Sequence, residues 1–334
     1  MFSADALRID PAGVVHEIAE AVREIVRGGL KKKGAVVAMS GGVDSSVVAA
    51  LCTKALGPGN VLGLFLPERD STPAGLERAQ KLAAQLGIQA LREDITPILD
   101  ALGCYRRRDT AIRSVFPDYR EGYKQKIILQ PDFLERNALN VFYLVVESPK
   151  GEQQKKRLPV GAYLEIVAAT NMKQRTRKLL EYYHADRLNY AVSGTPNRLE
   201  YDQGFFVKLG DGAADLKPIA HLYKTQVYEL ARFLGLPDEI CTARPTTDTY
   251  SLEQTQEEFY FKLPYDRMDL ALYAHNHGIP SQEAAPVLGL TAEQLERICR
   301  DIEQKRSTTR YLHLPPQLVR EVEEVKVEGK TGDR

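Results

Sequence analysis

The chain has 334 residues, of which 43% are hydrophobic and 27% charged, and its 45 Lys and Arg residues balance 45 Asp and Glu residues. This composition is typical of a soluble globular protein, and the zero net charge gives no sign of a nucleic-acid or membrane-surface binder. No apolar run approaches the roughly 20 residues that cross a bilayer, and the N-terminus lacks the features of a signal peptide. Four scattered cysteines without C-x-x-C spacing predict reduced thiols in a cytoplasmic protein.

The first predicted elements are a helix and a short buried strand. Apolar residues recur with helical spacing from Pro11 to Arg27, and Asp10 is placed to cap that helix. The apolar run at residues 35–38 then leads directly into Ser-Gly-Gly, and an apolar helix follows from Val47 to Leu56. A buried strand, a glycine turn and a helix N-terminus together form an anion site.

The turn itself, residues 38–46, has the residue types that a polyphosphate needs. Gly41 and Gly42 let the main chain approach a phosphate closely, and the serines around them add hydroxyl donors. Asp44 would repel a phosphate on its own, so its position indicates a bridging divalent cation, with Mg2+ the expected one. The turn lacks Gly-Lys-Ser/Thr and G-x-G-x-x-G, which excludes the Walker A and dinucleotide-binding fingerprints.

The following segments predict a parallel sheet. A second strand is predicted at 60–67, a polar loop at 68–72, a helix at 73–86 and a third strand from residue 87 to 91. Alternation of strands and helices is typical of a doubly wound α/β fold, in which ligands bind beyond the carboxyl ends of the strands. The Ser40 loop and the Glu68 loop are both predicted at that edge.

Residues 103–159 interrupt the pattern and are predicted to be an insertion. Residues 104–113 are rich in arginine, and two strand-like runs flank the turn at 148–151, which predicts a β-hairpin. The insertion begins just after the third predicted strand, whose carboxyl end faces the ligand edge of the sheet. We therefore expect it to cover one side of the site, with Phe142 and Tyr143 excluding water. A surface decoration or a dimer arm is the alternative.

The C-terminal half returns to the α/β pattern. Helices are predicted at 163–185, 223–234, 255–277 and 291–306, with Thr291 as an N-cap, and a strand at 188–193. Two glycine-rich charged loops follow that strand. The charged tail, residues 321–334, is predicted to lie outside the domain.

The Ser40 loop resembles the SGGxDS loop of the ATP-pyrophosphatase (PP-loop) superfamily, and further blocks resemble NAD synthetase of the ammonia-dependent type. These blocks are residues 40–46, 171–177, 194–200, 204–215, 224–227 with 244–248, and 304–306. All of them occur in the family's order, and the block at residues 204–215 is the most specific.

The resemblance implies an α/β fold with a doubly wound parallel sheet, a Rossmann-like three-layer sandwich of the adenine nucleotide alpha hydrolase-like type. It implies one domain, residues 1–320, interrupted by the 103–159 insertion. The family adenylates the nicotinate carboxylate of deamido-NAD with ATP and Mg2+, and ammonia then displaces AMP. A homodimer is expected, with a separate glutaminase as a possible ammonia donor.

The family's residue roles carry over to the matching positions. Catalytic roles fall to Asp44, Lys208 and Lys224, and Mg2+ ligation to Asp44 and Glu200. Contacts to deamido-NAD fall to Arg175, Lys208, Asp215, Gln304 and Lys305. Contacts to ATP fall to Ala38, Met39, Ser40, Gly41, Gly42, Val43, Asp44, Ser45, Ser46, Thr195, Lys224 and Thr246.

Departures from the family pattern keep two alternatives open. Ala38, Gln174 and Pro196 stand where the family has other residues, and the insertion lengthens the chain before Asn171. One alternative is a PP-loop ligase that adenylates and amidates a different acid. The other is a non-catalytic ATP-binding regulatory module, which the joint presence of the acidic and basic site residues disfavours.

Overall fold

The computed structural model describes residues 2–129, 141–246, 249–320, 322, 324 and 325. Part of the predicted insertion (130–140), Thr247 and Asp248 of the resemblance blocks, and most of the predicted tail lie outside the described residues.

Strands and helices alternate along most of the described chain. The strands are β1 (Ala35–Ala38), β2 (Val61–Phe65), β3 (Gln89–Arg92), β4 (Lys124–Leu129), β5 (Phe142–Glu147), β6 (Gln153–Arg157) and β7 (Ala191–Ser193). The helices are α1 (Pro11–Arg23), α2 (Val43–Leu56), α3 (Pro73–Leu86), α4 (Thr96–Ala101), α5 (Cys104–Arg113), α6 (Val160–Leu188), α7 (Arg198–Gln203), α8 (Lys224–Phe233), α9 (Asp238–Cys241), α10 (Tyr265–Asn276), α11 (Ser281–Leu288) and α12 (Ala292–His313). In these ranges no helix is both long and apolar enough to cross a membrane.

The central sheet is parallel, with strand order β3-β2-β1-β7. The chain moves outward from β1 to β3 and then crosses to the other side of β1, where β7 pairs with it. The strand order therefore reverses between β1 and β7. A crevice forms outside the carboxyl ends of strands at such a point, and the Ser40 loop follows β1 directly.

Helices cover both faces of this sheet, as the doubly wound prediction requires. Val37 packs in a core with α1, α2 and α8, whereas its neighbour Val36 packs in a second core with α4, α5 and α6. Successive residues of a strand point to opposite faces, so the apolar run at residues 35–38 serves two cores. The predicted three-layer fold is confirmed.

Several boundaries differ from the predicted ones. The predicted helix at 11–27 ends as an α-helix at Arg23 and continues as one π-helical turn, Glu24–Gly29. The helix predicted from Val47 already begins at Val43, because Gly42 occupies the N-cap position. The sequence did not predict α4, α5, α7, α9 or α11 as helices. All of these except α5 have only four to eight residues, too few for a periodic pattern.

The insertion forms a separate antiparallel sheet with order β4-β5-β6, and the predicted hairpin is its β5–β6 pair. Ile127 and Leu144 of this sheet pack against Ile166 of α6 and against Tyr250, in a core of their own. The insertion thus contacts both α6 and the segment after α9.

Candidate active site

A phosphate-sized cradle lies between β1 and α2. Gly41 has a φ of +79°, and a Cβ on it would lie 2.1 Å from the carbonyl oxygen of Gly75, so only glycine fits there. Ser45 Oγ donates to the carbonyl of Gly42 at 3.1 Å and accepts from the amide of Ser40 at 3.2 Å, which fixes the turn. Gly42 makes no side-chain cap on α2, so the first amides of that helix are available to an anion.

The cradle opens into a cavity of about 540 Å³ at the carboxyl edge of the sheet. Its volume is within the usual range for small-molecule sites. Most of the predicted site residues line it: Ala38, Met39, Ser40, Gly42, Val43, Asp44, Ser45, Arg175, Thr195, Glu200, Lys208, Lys224 and Thr246. Gly41 and Ser46 are not among the lining residues, because Gly41 faces Gly75 and Ser46 is buried within α2.

Two carboxylates and a lysine meet beside the cradle. The Lys224 ammonium donates to Asp44 Oδ2, and Asn197 Nδ2 donates to Asp44 Oδ1 at 3.0 Å. The backbone amide of Asn197 donates to Glu200 Oε2 at 3.2 Å, so Asn197 holds both carboxylates. Gln256 Nε2 donates to Glu200 Oε1 at 2.9 Å.

The protonation of this group follows from its burial and charges. Burial, followed by the nearby charge of Asp44, raises the pKa of Glu200 to about 7. Burial acts to lower the pKa of Lys224, but Asp44 and Glu200 outweigh it and hold that pKa above its usual value. Lys224 is therefore a cation at neutral pH, whereas Glu200 exchanges a proton near that pH.

The donors present suit a hard divalent cation. Asp44 and Glu200 supply carboxylate oxygens, the ligands that Mg2+ prefers. Within the described residues, no cluster of three or more His, Cys, Asp or Glu side chains could hold a metal by itself. Mg2+ commonly uses one or two carboxylates and completes its shell with water and substrate phosphates. The adjoining cradle would place phosphates beside both carboxylates, so the residues fit the group.

Three predicted substrate-binding residues lie elsewhere. The side-chain carboxylate of Asp215 accepts from the backbone amide of Val192 in β7 at 2.7 Å. Lys305 is buried and donates to Tyr260 O at 2.8 Å, while Gln304 is exposed on α12. None of the three lines the cavity, and their substrate contacts remain predictions.

Lys208 and Arg175 line the cavity with their side chains engaged. Lys208 Nζ donates to the carbonyl of Tyr311 at 2.8 Å and to that of Leu314 at 3.4 Å, at the C-terminal end of α12. Arg175 Nε donates to the carbonyl of Lys208 at 3.2 Å. Two of the three ammonium donors of Lys208 are thus used within the chain, and its catalytic role remains a prediction.

Sequence reasoning missed several residues of the cavity. Asn197 and Gln256 hold the carboxylates, yet nothing in their immediate sequence indicates that contact. Lys178 donates to Glu181 Oε2 at 2.6 Å, and both buried side chains line the cavity. Their spacing of three residues on a predicted helix was the available signal.

A glycine turn between a parallel strand and a helix, with an aspartate, a glutamate and a lysine around it, defines a nucleotide-binding α/β protein of the PP-loop type. The family model described as NAD synthase matches residues 14–114 and 143–311. The chain belongs to the NAD synthase family. The model leaves out 115–142, which lie within the predicted insertion.

Relatives and solved structures agree with this assignment. The chain is 57% identical over 326 residues to an NH3-dependent NAD(+) synthetase of Rhizobium meliloti, covering 98% of this chain and 97% of the relative. The structure of an NH3-dependent NAD synthetase from Campylobacter jejuni matches with a TM-score of 0.60 at 21% identity, covering 93% of this chain and all of that one. That of an NMN synthetase from Francisella tularensis matches with a TM-score of 0.62 at 23% identity and the same coverage. At these identities the two structures show the fold alone.

Proposed function

We propose that this protein is an ammonia-dependent NAD+ synthetase, which converts deamido-NAD, ATP and ammonia into NAD+, AMP and pyrophosphate. The observation that carries the proposal is the grouping of Asp44, Glu200 and Lys224 beside a phosphate cradle. The 57% identity over nearly the whole of a curated relative supports the same activity.

The reaction has two steps. A carboxylate oxygen of deamido-NAD attacks the α-phosphorus of ATP, and the bond to pyrophosphate breaks. Ammonia then attacks the acyl carbon, the bond to AMP breaks, and the nitrogen loses a proton. Neither step needs a covalent enzyme intermediate, so positioning and charge stabilisation are the main tasks of the protein.

The roles of the site residues follow from their positions. The cradle of Ser40, Gly42 and Ser45 binds the departing pyrophosphate, and the cationic Lys224 neutralises part of its charge. Asp44 and Glu200 would hold Mg2+, which supplies Lewis-acid charge neutralisation at the phosphates. Thr195 and Thr246, which also line the cavity, contact ATP.

Ammonia, and not glutamine, is the proposed nitrogen source at this site. Hydrolysis of glutamine uses an activated nucleophile such as a cysteine beside a base, and none of the four cysteines lines the cavity. Burial raises the pKa of the Cys52 thiol to about 11, and Cys104 donates to the carbonyl of Ala169. A separate glutaminase is a possible ammonia donor. All four thiols are free, which fits the cytoplasm.

Mass-spectrometric detection of NAD+ from deamido-NAD, ATP, Mg2+ and ammonium tests the proposal. Formation of NAD+ with one AMP per amide is the expected result. ATP binding without AMP release would favour the regulatory alternative and contradict the proposed activity.

One observation favours a second candidate, a ligase for a different acid. Phe142, from the insertion, stacks on Tyr163 with ring centroids 4.4 Å apart, and both line the cavity. Because the insertion shapes part of the binding space, a panel of carboxylic acids in a pyrophosphate-release assay is needed. Release that is faster with another acid than with deamido-NAD would support this candidate.

We also propose a homodimer formed through α6. This helix exposes two apolar pairs, Val160 with Leu164 near its N-terminus and Leu179 with Tyr183 near its C-terminus, and Asn171 and Arg175 between these pairs line the cavity. Exposed apolar side chains of this kind mark protein interfaces, and a symmetric dimer would bury them. Sedimentation at working concentrations tests the assembly.

A further inference from the structure

One segment after α9, residues 249–256, is held from two sides by groups that do not reach the cavity. Thr249, Tyr250 and Gln256 of this segment line the cavity. Gln256 donates to Glu200, one of the carboxylates assigned to Mg2+. The geometry of the segment therefore bears directly on the proposed metal site.

Lys173 holds the segment from inside. Its side chain is fully buried, and its ammonium donates to the carbonyl of Thr249 at 2.9 Å, to Glu68 at 2.9 Å and to Asp70 at 2.7 Å. Its three donors are thus all used. Glu68 and Asp70 belong to the loop after β2, which also lines the cavity at Ser71.

Helix α5 completes the charge balance around Lys173. Arg108 of α5 pairs with Asp70, and the Tyr105 hydroxyl donates to Glu68 at 2.8 Å. Burial acts to raise the pKa of Asp70, but Lys173 and Arg108 outweigh it and hold that pKa below its usual value. Two buried acids thus face two buried cations, and this arrangement fixes the Thr249 contact.

Strand β4 of the insertion holds the same segment from outside. The amide of Gln125 donates to Ser251 Oγ at 2.9 Å, and the amide of Leu252 donates to the carbonyl of Gln125 at 3.1 Å. The side chain of Gln254, fully buried, donates to the carbonyl of Ile127. Tyr250 packs into the core of the insertion.

We propose that Lys173 and strand β4 together clamp residues 249–256, so that Gln256 keeps Glu200 oriented toward the metal and the phosphates. Lys173 and Gln254 are positioning residues, since neither lines the cavity. This gives the insertion a role in the metal site, besides any cover of the acid. The inference rests on the proposed function for its link to Mg2+.

The test compares Lys173→Met and Gln254→Met with Lys173→Arg and with a matched control. Lys262→Met is the control, because it removes another buried lysine–aspartate pair, to Asp301, outside the cavity lining. Amide hydrogen exchange of residues 249–256 is measured by mass spectrometry without ligand. The apparent Mg2+ constant, which is the Mg2+ concentration that gives half-maximal pyrophosphate release, is measured with ATP and deamido-NAD.

We expect exchange across 249–256 to be at least tenfold faster in both Met variants. The Mg2+ constant should rise about tenfold or more, as is typical when a group orienting a metal ligand is lost. Lys173→Arg should partly restore both the slow exchange and the Mg2+ constant. In the Lys262→Met control, both quantities should stay within twofold of the wild type. If Lys173→Met does not fold, Gln254→Met alone decides the question.

Unchanged exchange in the Met variants would overturn the clamp, as would equal effects in Lys262→Met. Faster exchange with an unchanged Mg2+ constant would overturn the link to Glu200. If the wild type does not amidate deamido-NAD, the proposed function fails, but the exchange measurement and titration with Mg2+ and a non-hydrolysable ATP analogue still test the clamp.

Discussion

Replacing Asp44 by Asn tests the centre of the proposed site with little change in shape. The Asn197 amide can still donate to the remaining side-chain oxygen at position 44, but the ammonium of Lys224 loses its carboxylate partner. Removing one partner of a buried ion pair typically costs about 3–5 kcal/mol. Here Asp44 is 17% exposed, and Glu200 still faces Lys224. We therefore expect a stability loss of about 2 kcal/mol, below that range, and a folded variant.

The catalytic effect should be much larger. The variant loses a charged oxygen from the two-carboxylate set that would bind Mg2+, and charge stabilisation at the phosphates depends on that set. Loss of one preorganised electrostatic group typically reduces kcat by about a hundredfold or more. Removing the charge of Asp44 should also lower the pKa of Glu200, because that charge is the second cause of its elevation after burial.

The assay is pyrophosphate release at saturating Mg2+, with urea unfolding to measure stability. Asp202→Asn is a matched control, since Asp202 is 16% exposed, is paired with Arg306 and lies outside the cavity lining. The reasoning is refuted if Asp44→Asn retains more than a tenth of the wild-type rate, or if the control loses as much activity.

Four further predictions follow from the same geometry. Because the pKa of Glu200 is about 7, a proton competes with Mg2+ for this carboxylate below that pH. The apparent Mg2+ affinity should therefore rise about tenfold per pH unit up to about pH 7 and then level off. Mg2+ titrations that do not depend on pH would contradict this. Ammonium should support turnover and glutamine alone should not, and NAD+ formed by the pure protein from glutamine would refute that. Leu179→Glu should shift the sedimentation coefficient from dimer to monomer, whereas a monomeric wild type would disprove the dimer. Phe142→Ala should raise the KM of deamido-NAD severalfold while Tyr143→Ala leaves it unchanged, and equal effects would show that the hairpin acts only through stability.

The sequence was sufficient for the parts of the site that are local. The cradle lies within seven consecutive residues, and its strand, glycine turn and helix are each determined by their own composition. The parallel sheet was predictable for the same reason, since its central strands β1 and β2 are short apolar runs between helices. The strand order, which creates the crevice between β1 and β7, depends on a crossing of about 100 residues and became visible only in the structure.

The remaining site contacts are long-range. Asn197 reaches Asp44 across 153 positions and Gln256 reaches Glu200 across 56, and both are amides whose partners no local pattern specifies. Charge runs were ambiguous for a related reason. In the arginine-rich stretch at 104–113, Arg108 is buried and pairs with Asp70 and Asp109, because a folded chain neutralises most buried charges internally.

Of the two aromatic residues predicted to cover the site, strand geometry allows only one to face the cavity. Phe142 and Tyr143 are adjacent in β5, and side chains that are adjacent in a strand point to opposite faces. Phe142 therefore shares a face with Leu144 and Val146, packs toward α6 and lines the cavity. Tyr143 turns away, and the ammonium of Lys155 lies 4.3 Å from its ring centroid. At most one of two neighbouring residues in a predicted strand can face a given ligand, so the alternation alone was enough to reduce the predicted cover to a single ring.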